Sequence, residues 1–324
     1  MQDLVQAEVP GGFIAVRHIK HGQKISEPGV YDMPMGWYHD DCCVGPSISS
    51  SGLRTIWQKS PLHYWYDSYM NPDRDEEDDE KVEAEALRMG RAAHALLLEP
   101  HLFGQMFTTR PPIFADWRTQ KARQWRAEQQ LEGKTVLDPA EFQRVHLIAK
   151  ALKSHELYQQ GILEGDIERS IVWQDKKTGV WLKARPDAIP SGSNIFADLK
   201  TVRDGRAQQL ARHVFQYGYD MQMALGGVGM WEVLRRKVEE FVLVAVESKK
   251  PFAVRIAPIA HEEIVHQVED MNAAGGRCVL FQRKRLASFL QAGLLLPAQD
   301  EALSVRATRS ALAKLDVDPS RLLN

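Results

Sequence analysis

Two aspartates and a lysine lie on neighbouring predicted strands in a pattern suited to binding a metal ion. Asp187 ends the segment KARPD, and after ten intervening residues Asp198 and Lys200 form the segment DLK. Side chains of a strand alternate between its faces, so Asp198 and Lys200 should project from the same side. A tight hairpin would bring Asp187 beside them. Carboxylate oxygens suit Mg²⁺, and an ammonium can stabilise or deprotonate an attacking water or offset phosphate charge.

The same three residues also have an ordinary structural explanation. Asp187 could cap the turn that follows its strand, and Asp198 with Lys200 could form a surface ion pair on an edge strand. The pattern P-D, ten residues, D-x-K is short and degenerate. Spacing alone therefore leaves both interpretations open.

Three further features favour the metal interpretation. His94 lies in the segment GRAAH, whose small residues allow a helix to approach a sheet closely, and its imidazole can supply a nitrogen ligand. Gln222 lies near the start of a helix predicted after the DLK segment. Arg203, Arg206 and Arg212 follow that segment at once, where phosphates would approach. A buried histidine, a polar helix face and a basic loop are the ordinary explanations of these features.

The elements that must position these residues follow from the hydrophobic pattern. Their order is helix, three short strands, helix and two strands, which predicts an α/β fold with a right-handed parallel crossover between the third and fourth strands. The predicted helices span residues 82–98, 140–160 and 219–237, and the predicted strands span residues 167–174, 180–189, 195–201, 241–247 and 252–259.

The two ends of the chain differ from this central part. Residues 1–48 are turn-rich and predicted to be irregular, with short helices following them. We expect four regions along the chain. They are an N-terminal lead-in with short helices (1–70), an acidic linker (71–81), the α/β core (82–260) and a C-terminal helical extension (261–324).

Composition excludes several classes of protein. The 324 residues include only three cysteines, without a C-x-x-C pair, which argues against a cysteine zinc site, an iron–sulfur site and a disulfide scaffold. No apolar run approaches the roughly 20 residues of a membrane span. The first residues lack the order of a signal peptide. We therefore expect a soluble cytoplasmic protein without a membrane partner.

The distribution of charge keeps nucleic acid open as a partner. The net charge is −2, which by itself argues against it. Residues 71–90, however, carry nine acidic and three basic side chains, so the rest of the chain is net positive. Residues 110–126 hold five basic residues and one acidic residue, with Trp117 and Trp125 between them.

Taken together and in order, the segments GRAAH, KARPD, DLKT and YGYDMQ resemble the PD-(D/E)xK nuclease superfamily. Within it the chain is similar to the RecE-like branch, the nuclease domain of exonuclease VIII found in phages and prophages. The resemblance covers roughly residues 30–250. It implies an α/β fold with a restriction-endonuclease-like αβββαβ core, a central mixed sheet and helical embellishments at both ends.

Carried over to this sequence, the resemblance implies a metal site and a catalytic set. His94, Asp187 and Asp198 match the metal ligands, and Lys200 matches the catalytic lysine. Gln222 matches the helix residue that contacts the site, and it completes the catalytic set with Lys200, Asp187 and Asp198. Mg²⁺ is the implied cofactor, with Mn²⁺ as a substitute.

One position departs from the pattern of the relatives. Related nucleases often place a tyrosine four residues after the glutamine, where this chain has Gly226. Tyr217 or Tyr219 could substitute for it. The sequence assigns no role to Glu168 or to residues 296–324.

The resemblance also implies an activity and partners. It predicts an exonuclease that hydrolyses linear double-stranded DNA from 5′ to 3′ with a metal-activated water, leaving 3′ single strands for recombination. It predicts that the protein acts together with a RecT-like single-strand annealing protein. It also predicts that the chain forms a ring-like homo-oligomer. The predicted DNA-binding residues are Arg185, Arg203, Arg206 and Arg212. An endonuclease of restriction or repair type, or a DNA-binding module with a decayed site, remains an alternative.

Overall fold

The protein is described by a computed structural model over residues 4–7, 14–74, 85–176, 178–191 and 193–259. This part of the chain is mixed α/β, as predicted. The strands are β1 (Leu4–Ala7), β2 (Ile14–His18), β3 (Gly29–Asp32), β4 (Ser47–Ser49), β5 (Phe107–Thr109), β6 (Thr135–Leu137), β7 (Gly165–Ile167), β8 (Ser170–Gln174), β9 (Trp181–Ala184), β10 (Ala188–Pro190), β11 (Ile195–Val202), β12 (Glu240–Glu247) and β13 (Val254–Ile259). The helices are α1 (Met35–His39), α2 (Ser50–Gln58), α3 (Pro61–Asp67), α4 (Glu85–Leu98), α5 (Pro100–Met106), α6 (Gln120–Leu131), α7 (Pro139–Lys153), α8 (Glu156–Gln159), α9 (Ala207–Tyr217) and α10 (Tyr219–Leu234).

Two larger sheets form the framework of the described chain. One has six strands in the order β1-β2-β3-β8-β9-β4, and the other has three in the order β11-β12-β13. The strand β11 pairs in parallel with β12, with α9 and α10 between them in sequence, which confirms the predicted parallel crossover. Two short ladders, β10-β7 and β5-β6, complete the pairing of the described strands.

The three-stranded sheet is covered on both faces, and its alternation decides which side chains enter the site. Ala197 and Leu199 of β11 join the core cluster formed with α4 and α7. Phe196 and Val202 face the opposite way and join the cluster that includes α10. Asp198 and Lys200 share that second face because side chains two apart in a strand point the same way.

The N-terminal segment contributes more than the short helices expected of it. Strand β3 pairs with β8, and β4 pairs in parallel with β9, so this segment extends the sheet of the predicted core. Residues 1–48 were expected to be irregular, and that expectation was wrong for β1, β2, β3, α1 and the start of β4. The strands are only three to five residues long, and β3 and β4 pair with β8 and β9 more than 100 residues away, so local periodicity is a weak signal for them.

The remaining predicted elements agree with the structure except at several boundaries. The helix predicted over residues 140–160 is divided into α7 and α8, and the strand predicted over 180–189 is divided into β9 and β10 by Arg185-Pro186-Asp187. Helix α9 was not predicted. Most of the acidic linker and the whole C-terminal extension after residue 260 lie outside the described residues, so the four expected regions stay a prediction. No helix in the described ranges is both long and apolar enough to cross a membrane.

Close packing between α10 and β11 yields a prediction about stability. A Cβ atom added at Gly226 would lie 2.6 Å from Cζ of Phe196, whose ring is buried in the core. Gly226→Ala should therefore lower the free energy of unfolding by about 1–2 kcal/mol, since overpacking outweighs the gain in helix propensity. Urea unfolding measures the change.

Gly104→Ala is the matched control for this substitution. Gly104 also lies within a helix, α5, but a Cβ there has no neighbour within 4 Å. This control should be neutral or stabilising by up to about 1 kcal/mol. Equal stability changes in the two variants would contradict the packing explanation.

Candidate active site

The site begins where the chain leaves β9. Asp187 follows Pro186 and is buried, and its Oδ2 accepts a hydrogen bond of 2.5 Å from the backbone N–H of Leu199 in β11. This bond brings Asp187 beside β11 without the strand-to-strand hairpin that the sequence predicted. Among the described strands, β11 pairs only with β12, so the Asp187 carboxylate takes the place of a ladder partner at this edge. Burial raises the pKa of Asp187 against the opposing effect of the Lys200 charge.

Asp198 and Lys200 meet on the same face of β11, as predicted. Lys200 Nζ lies 2.5 Å from Asp198 Oδ2, and the Asp198 side chain is fully buried. Burial, reinforced by the charge of Asp187, raises the pKa of Asp198 to about 6 despite the nearby ammonium. Burial would lower the pKa of Lys200, but the two carboxylates outweigh it and raise the pKa above its ordinary value. Lys200 therefore remains charged at neutral pH.

Gln222 contacts the site from α10, as the resemblance implied. Its Nε2 donates a hydrogen bond of 2.9 Å to Asp198 Oδ1. One oxygen of Asp198 is thus held by an amide and the other faces an ammonium. Apart from that ion pair, the buried Oδ2 has no hydrogen-bond partner in the described part of the chain.

His94 reaches the site from α4, which lies close to the sheet. Ala92 and Ala93 are fully buried, and a Cβ at Gly90 would lie 3.1 Å from Thr201 Oγ1. His94 Nδ1 is 3.8 Å from Asp187 Oδ1, which is too long for a hydrogen bond. Burial, with the Lys200 charge, lowers the pKa of His94 to about 4, so its imidazole is neutral and able to bind a metal ion.

Glu168 is the residue of the site that sequence reasoning left unassigned. Single ligand atoms of His94, Glu168 and Asp187 all lie within 4.8 Å of one another. Glu168 occupies the left-handed region at φ 52°, which costs a residue with a side chain about 1–3 kcal/mol. Its backbone N–H donates to the carbonyl oxygen of Asp187 at 3.2 Å and holds the turn in place. Burial, with the Asp187 charge, raises the pKa of Glu168 to about 8.

This donor set fits a divalent cation. Ligand atoms of His94, Glu168 and Asp187 converge, and Asp198 and Lys200 interact electrostatically with His94 and Asp187. Asp198, whose buried Oδ2 is paired with the Lys200 ammonium, could serve as a further ligand. Carboxylate oxygens suit hard divalent ions such as Mg²⁺ and Mn²⁺. The ligands would be His94, Asp187 and Asp198, as the sequence predicted, together with Glu168.

The site opens into a cavity of about 340 Å³. His94, Glu168, Asp187 and Gln222 are among the residues that line it. The first turn of α2, Arg54 and Gly218 at the corner between α9 and α10 line it as well. The N-terminal segment therefore supplies a wall of the candidate active site.

The predicted DNA-binding arginines fall into two groups. Arg203, Arg206 and Arg212 are exposed in the loop after β11 and on α9, and Arg206 pairs with Asp204. Arg185 lines the cavity, but its Nε donates to Ser170 Oγ and its Nη2 to the carbonyl oxygen of Met33. The structure thus uses Arg185 to join the N-terminal segment to β8, and contact of all four arginines with DNA stays a prediction.

The structure explains the glycine that replaces the tyrosine of related nucleases. The ring of Phe196 fills the space beside Gly226, so this position has no room for a side chain. Tyr219, which lies one turn before Gln222, instead places its ring centroid 5.2 Å from Lys200 Nζ. Of the two tyrosines considered from the sequence, Tyr219 is the one in contact with Lys200.

Metal binding predicts a change in thermal stability. A ligand that binds only the folded protein stabilises it by about 2.7 kcal/mol at 100 times its Kd. Mn²⁺ or Mg²⁺ should therefore raise the melting temperature, and Asp187→Asn should abolish most of the rise. Asp175→Asn is the control, since Asp175 is also buried but binds Thr178 at the other end of β8. An equal metal-dependent rise in wild type and Asp187→Asn would refute the metal assignment.

The raised pKa of Glu168 predicts a pH dependence. The unfolded chain loses this proton near the ordinary value of 4.5, whereas the metal-free folded protein keeps it until about pH 8. The folded state therefore binds more protons between these values, so this group's stabilising contribution falls as pH rises, by at most about 1.4 kcal/mol per unit.

Glu168→Gln removes that titration. The free energy of unfolding of Glu168→Gln relative to wild type should increase from pH 5 to pH 8 in metal-free buffer. Comparison of the two proteins cancels the other titrating groups. A difference that does not change with pH would contradict the raised pKa.

Comparisons with known proteins give a family match and a structural neighbour. A family profile for a "PDDEXK-like domain of unknown function (DUF3799)" matches residues 67–275. A crystal structure of a protein from Eubacterium rectale, described as a candidate exonuclease, shares 16% identity and a TM-score of 0.45, covering 73% of this chain and 82% of that one. No curated protein matches the sequence significantly.

The family match covers more than half of the chain and includes His94, Asp187, Asp198, Lys200 and Gln222. It confirms the PD-(D/E)xK assignment made from the sequence motifs, and it supports a nuclease with a divalent metal ion. The chain belongs to the DUF3799 family of PDDEXK-like domains.

Proposed function

We propose that the protein is a Mg²⁺-dependent exodeoxyribonuclease that degrades linear double-stranded DNA from its 5′ ends. The observation that carries the proposal is the cluster of His94, Glu168 and Asp187 in the wall of a cavity, with the buried Asp198–Lys200 pair beside Asp187. With a divalent cation bound, such a set could neutralise and orient a phosphate group. A surface ion pair, the ordinary explanation of Asp198 and Lys200, would be exposed, whereas Asp198 is fully buried.

The residues of the chain have separable roles in this reaction. Asp187, Asp198, His94 and Glu168 would hold the cation, and Gln222 orients the Asp198 carboxylate by its hydrogen bond. A bound Mg²⁺ would supply positive charge to the phosphate oxygens and acidify a water molecule. The raised pKa of Lys200 keeps it protonated, which favours electrostatic stabilisation of the phosphate over proton abstraction.

The cavity supports the requirement for a DNA end. Ser49, Ser50 and Ser51 form its wall at the start of α2, where backbone N–H groups favour an anion. Arg54, one turn further along α2, adds a positive charge to the same wall. A terminal 5′ phosphate entering this cavity would place the next phosphodiester towards the carboxylates. The preference for a 5′-phosphorylated end belongs to this proposal.

The wider biological setting forms part of the same proposal. An enzyme that removes one strand from a 5′ end leaves a 3′ single strand, which a RecT-like annealing protein could receive for recombination. A ring-like homo-oligomer would keep the enzyme on its duplex. Both suggestions rest on the resemblance to the RecE-like branch.

Two alternative functions predict a different activity on DNA from this proposal. An endonuclease shares the chemistry, since fold alone does not decide between cleavage at ends and within a strand. A binding module with a decayed site would keep affinity for DNA without cleavage. The burial and mutual contacts of the carboxylates, lysine and glutamine favour a working site over a decayed one.

The decisive experiment compares linear and covalently closed DNA of the same sequence. With Mg²⁺, the purified protein should release nucleotides from the linear duplex and leave the relaxed closed circle intact. A 5′-phosphorylated end should be degraded faster than a 5′-hydroxyl end. Rapid nicking of the circle would favour an endonuclease, and salt-sensitive binding without any product would favour the binding module.

Variants in the same assay test the assigned chemistry. Asp198→Asn should remove nearly all cleavage, and Lys200→Ala should lower the rate about 10²–10³-fold, as expected for loss of a charge that stabilises the transition state. Lys153→Ala, an exposed lysine of α7, is the control and should retain wild-type activity. Wild-type cleavage by Lys200→Ala would refute the proposed role of the lysine.

A further inference from the structure

Three aromatic rings extend from the catalytic lysine to the surface. The Tyr219 ring centroid lies 5.2 Å from Lys200 Nζ. The Tyr217 ring lies 5.8 Å from Tyr219 at an interplanar angle of 37°, and the His213 ring lies 5.0 Å from Tyr217. This aromatic series connects the buried site with the exposed surface of α9.

Tyr217 is the exposed member of the series and lies next to the cavity. It is 42% exposed to solvent. The Arg54 guanidinium donates to the backbone carbonyl of Tyr217, and Gly218 ends α9 in the left-handed conformation at φ 66°. Arg54 and Gly218 both line the cavity, so the corner that carries Tyr217 adjoins it.

The cavity beside Asp187 has a volume of about 340 Å³, which suits a single nucleotide. A strand end that enters it as a single nucleotide would be separated from its complement. The separated base loses its stacking partners, which costs a few kcal/mol unless another surface replaces them.

We propose that Tyr217 stacks on the base of the unpaired nucleotide next to the scissile phosphate. An aromatic ring offers such a base a stacking partner whatever its identity, which suits an enzyme that degrades any sequence. His213 supports the Tyr217 ring from the side of α9. This inference deepens the proposed function and rests on it.

A double-mutant cycle between protein and DNA tests the stacking contact. The substrate is a linear duplex whose two 5′-terminal nucleotides are unpaired, either intact or abasic at one of these positions. Affinity is measured by fluorescence anisotropy with Ca²⁺ in place of Mg²⁺, and single-turnover rates are measured with Mg²⁺. Tyr217→Ala should bind intact DNA about 10-fold more weakly, whereas both proteins should bind the abasic DNA equally.

Three further variants separate stacking from structure. Tyr217→Phe should retain wild-type affinity, and Tyr217→Leu, which keeps the bulk of the side chain, should behave like Tyr217→Ala while melting like wild type. Phe215→Ala is the control, because Phe215 is an exposed aromatic residue on the opposite side of α9. This control should leave binding unchanged.

The outcomes distinguish this inference from the proposed function. Metal-dependent cleavage by the wild type, together with equal affinity of wild type and Tyr217→Ala for intact DNA, would overturn the stacking role alone. Equal losses on intact and abasic DNA would also overturn it, since the effect would not depend on the base. Absence of cleavage by the wild type on every linear substrate would overturn the proposed function as well.

Discussion

The buried ion pair between Lys200 and Asp198 is the interaction on which the candidate site depends. Two carboxylates removed from water are unfavourable, and one ammonium compensates only part of their charge. Glu168 adds a third carboxyl group to the same region. Burial raises the pKa values of the three acids, and the charge of Asp187 adds to the effect at Glu168 and Asp198. A divalent cation would supply the missing positive charge, so the same acidic groups that are unfavourable without metal favour metal binding.

The surrounding elements hold these charges in place by close packing and direct hydrogen bonds. Helix α4 approaches the sheet closely at Gly90 and two buried alanines. This places His94 Nδ1 3.8 Å from Asp187 Oδ1. Helix α10 packs on β11 through Gly226, which leaves Gln222 within reach of Asp198. The same contact excludes a tyrosine at position 226. Compact residues on two helices thus allow both to contribute to one site.

The N-terminal segment forms part of the cavity, although the candidate metal ligands and Lys200 lie outside this segment. Its strands extend the sheet of β8 and β9, and the start of α2 together with Arg54 forms part of the cavity wall. Arg185 joins the two parts through Ser170 and the Met33 carbonyl. The cavity therefore depends on contacts between segments more than 100 residues apart.

The sequence by itself indicated the candidate metal-binding and catalytic residues and the order of the core elements. Alternation along β11 placed Asp198 and Lys200 on one face, and the four ordered motifs indicated the PD-(D/E)xK fold, because both signals are local. Only the tertiary structure decided that Asp187 reaches β11 by its carboxylate, that Glu168 joins the site and that Tyr219 contacts Lys200. The short strands of the N-terminal segment were also revealed only by the tertiary structure. These features depend on contacts between residues distant in sequence, whose geometry is set by packing and leaves no periodic pattern in the chain.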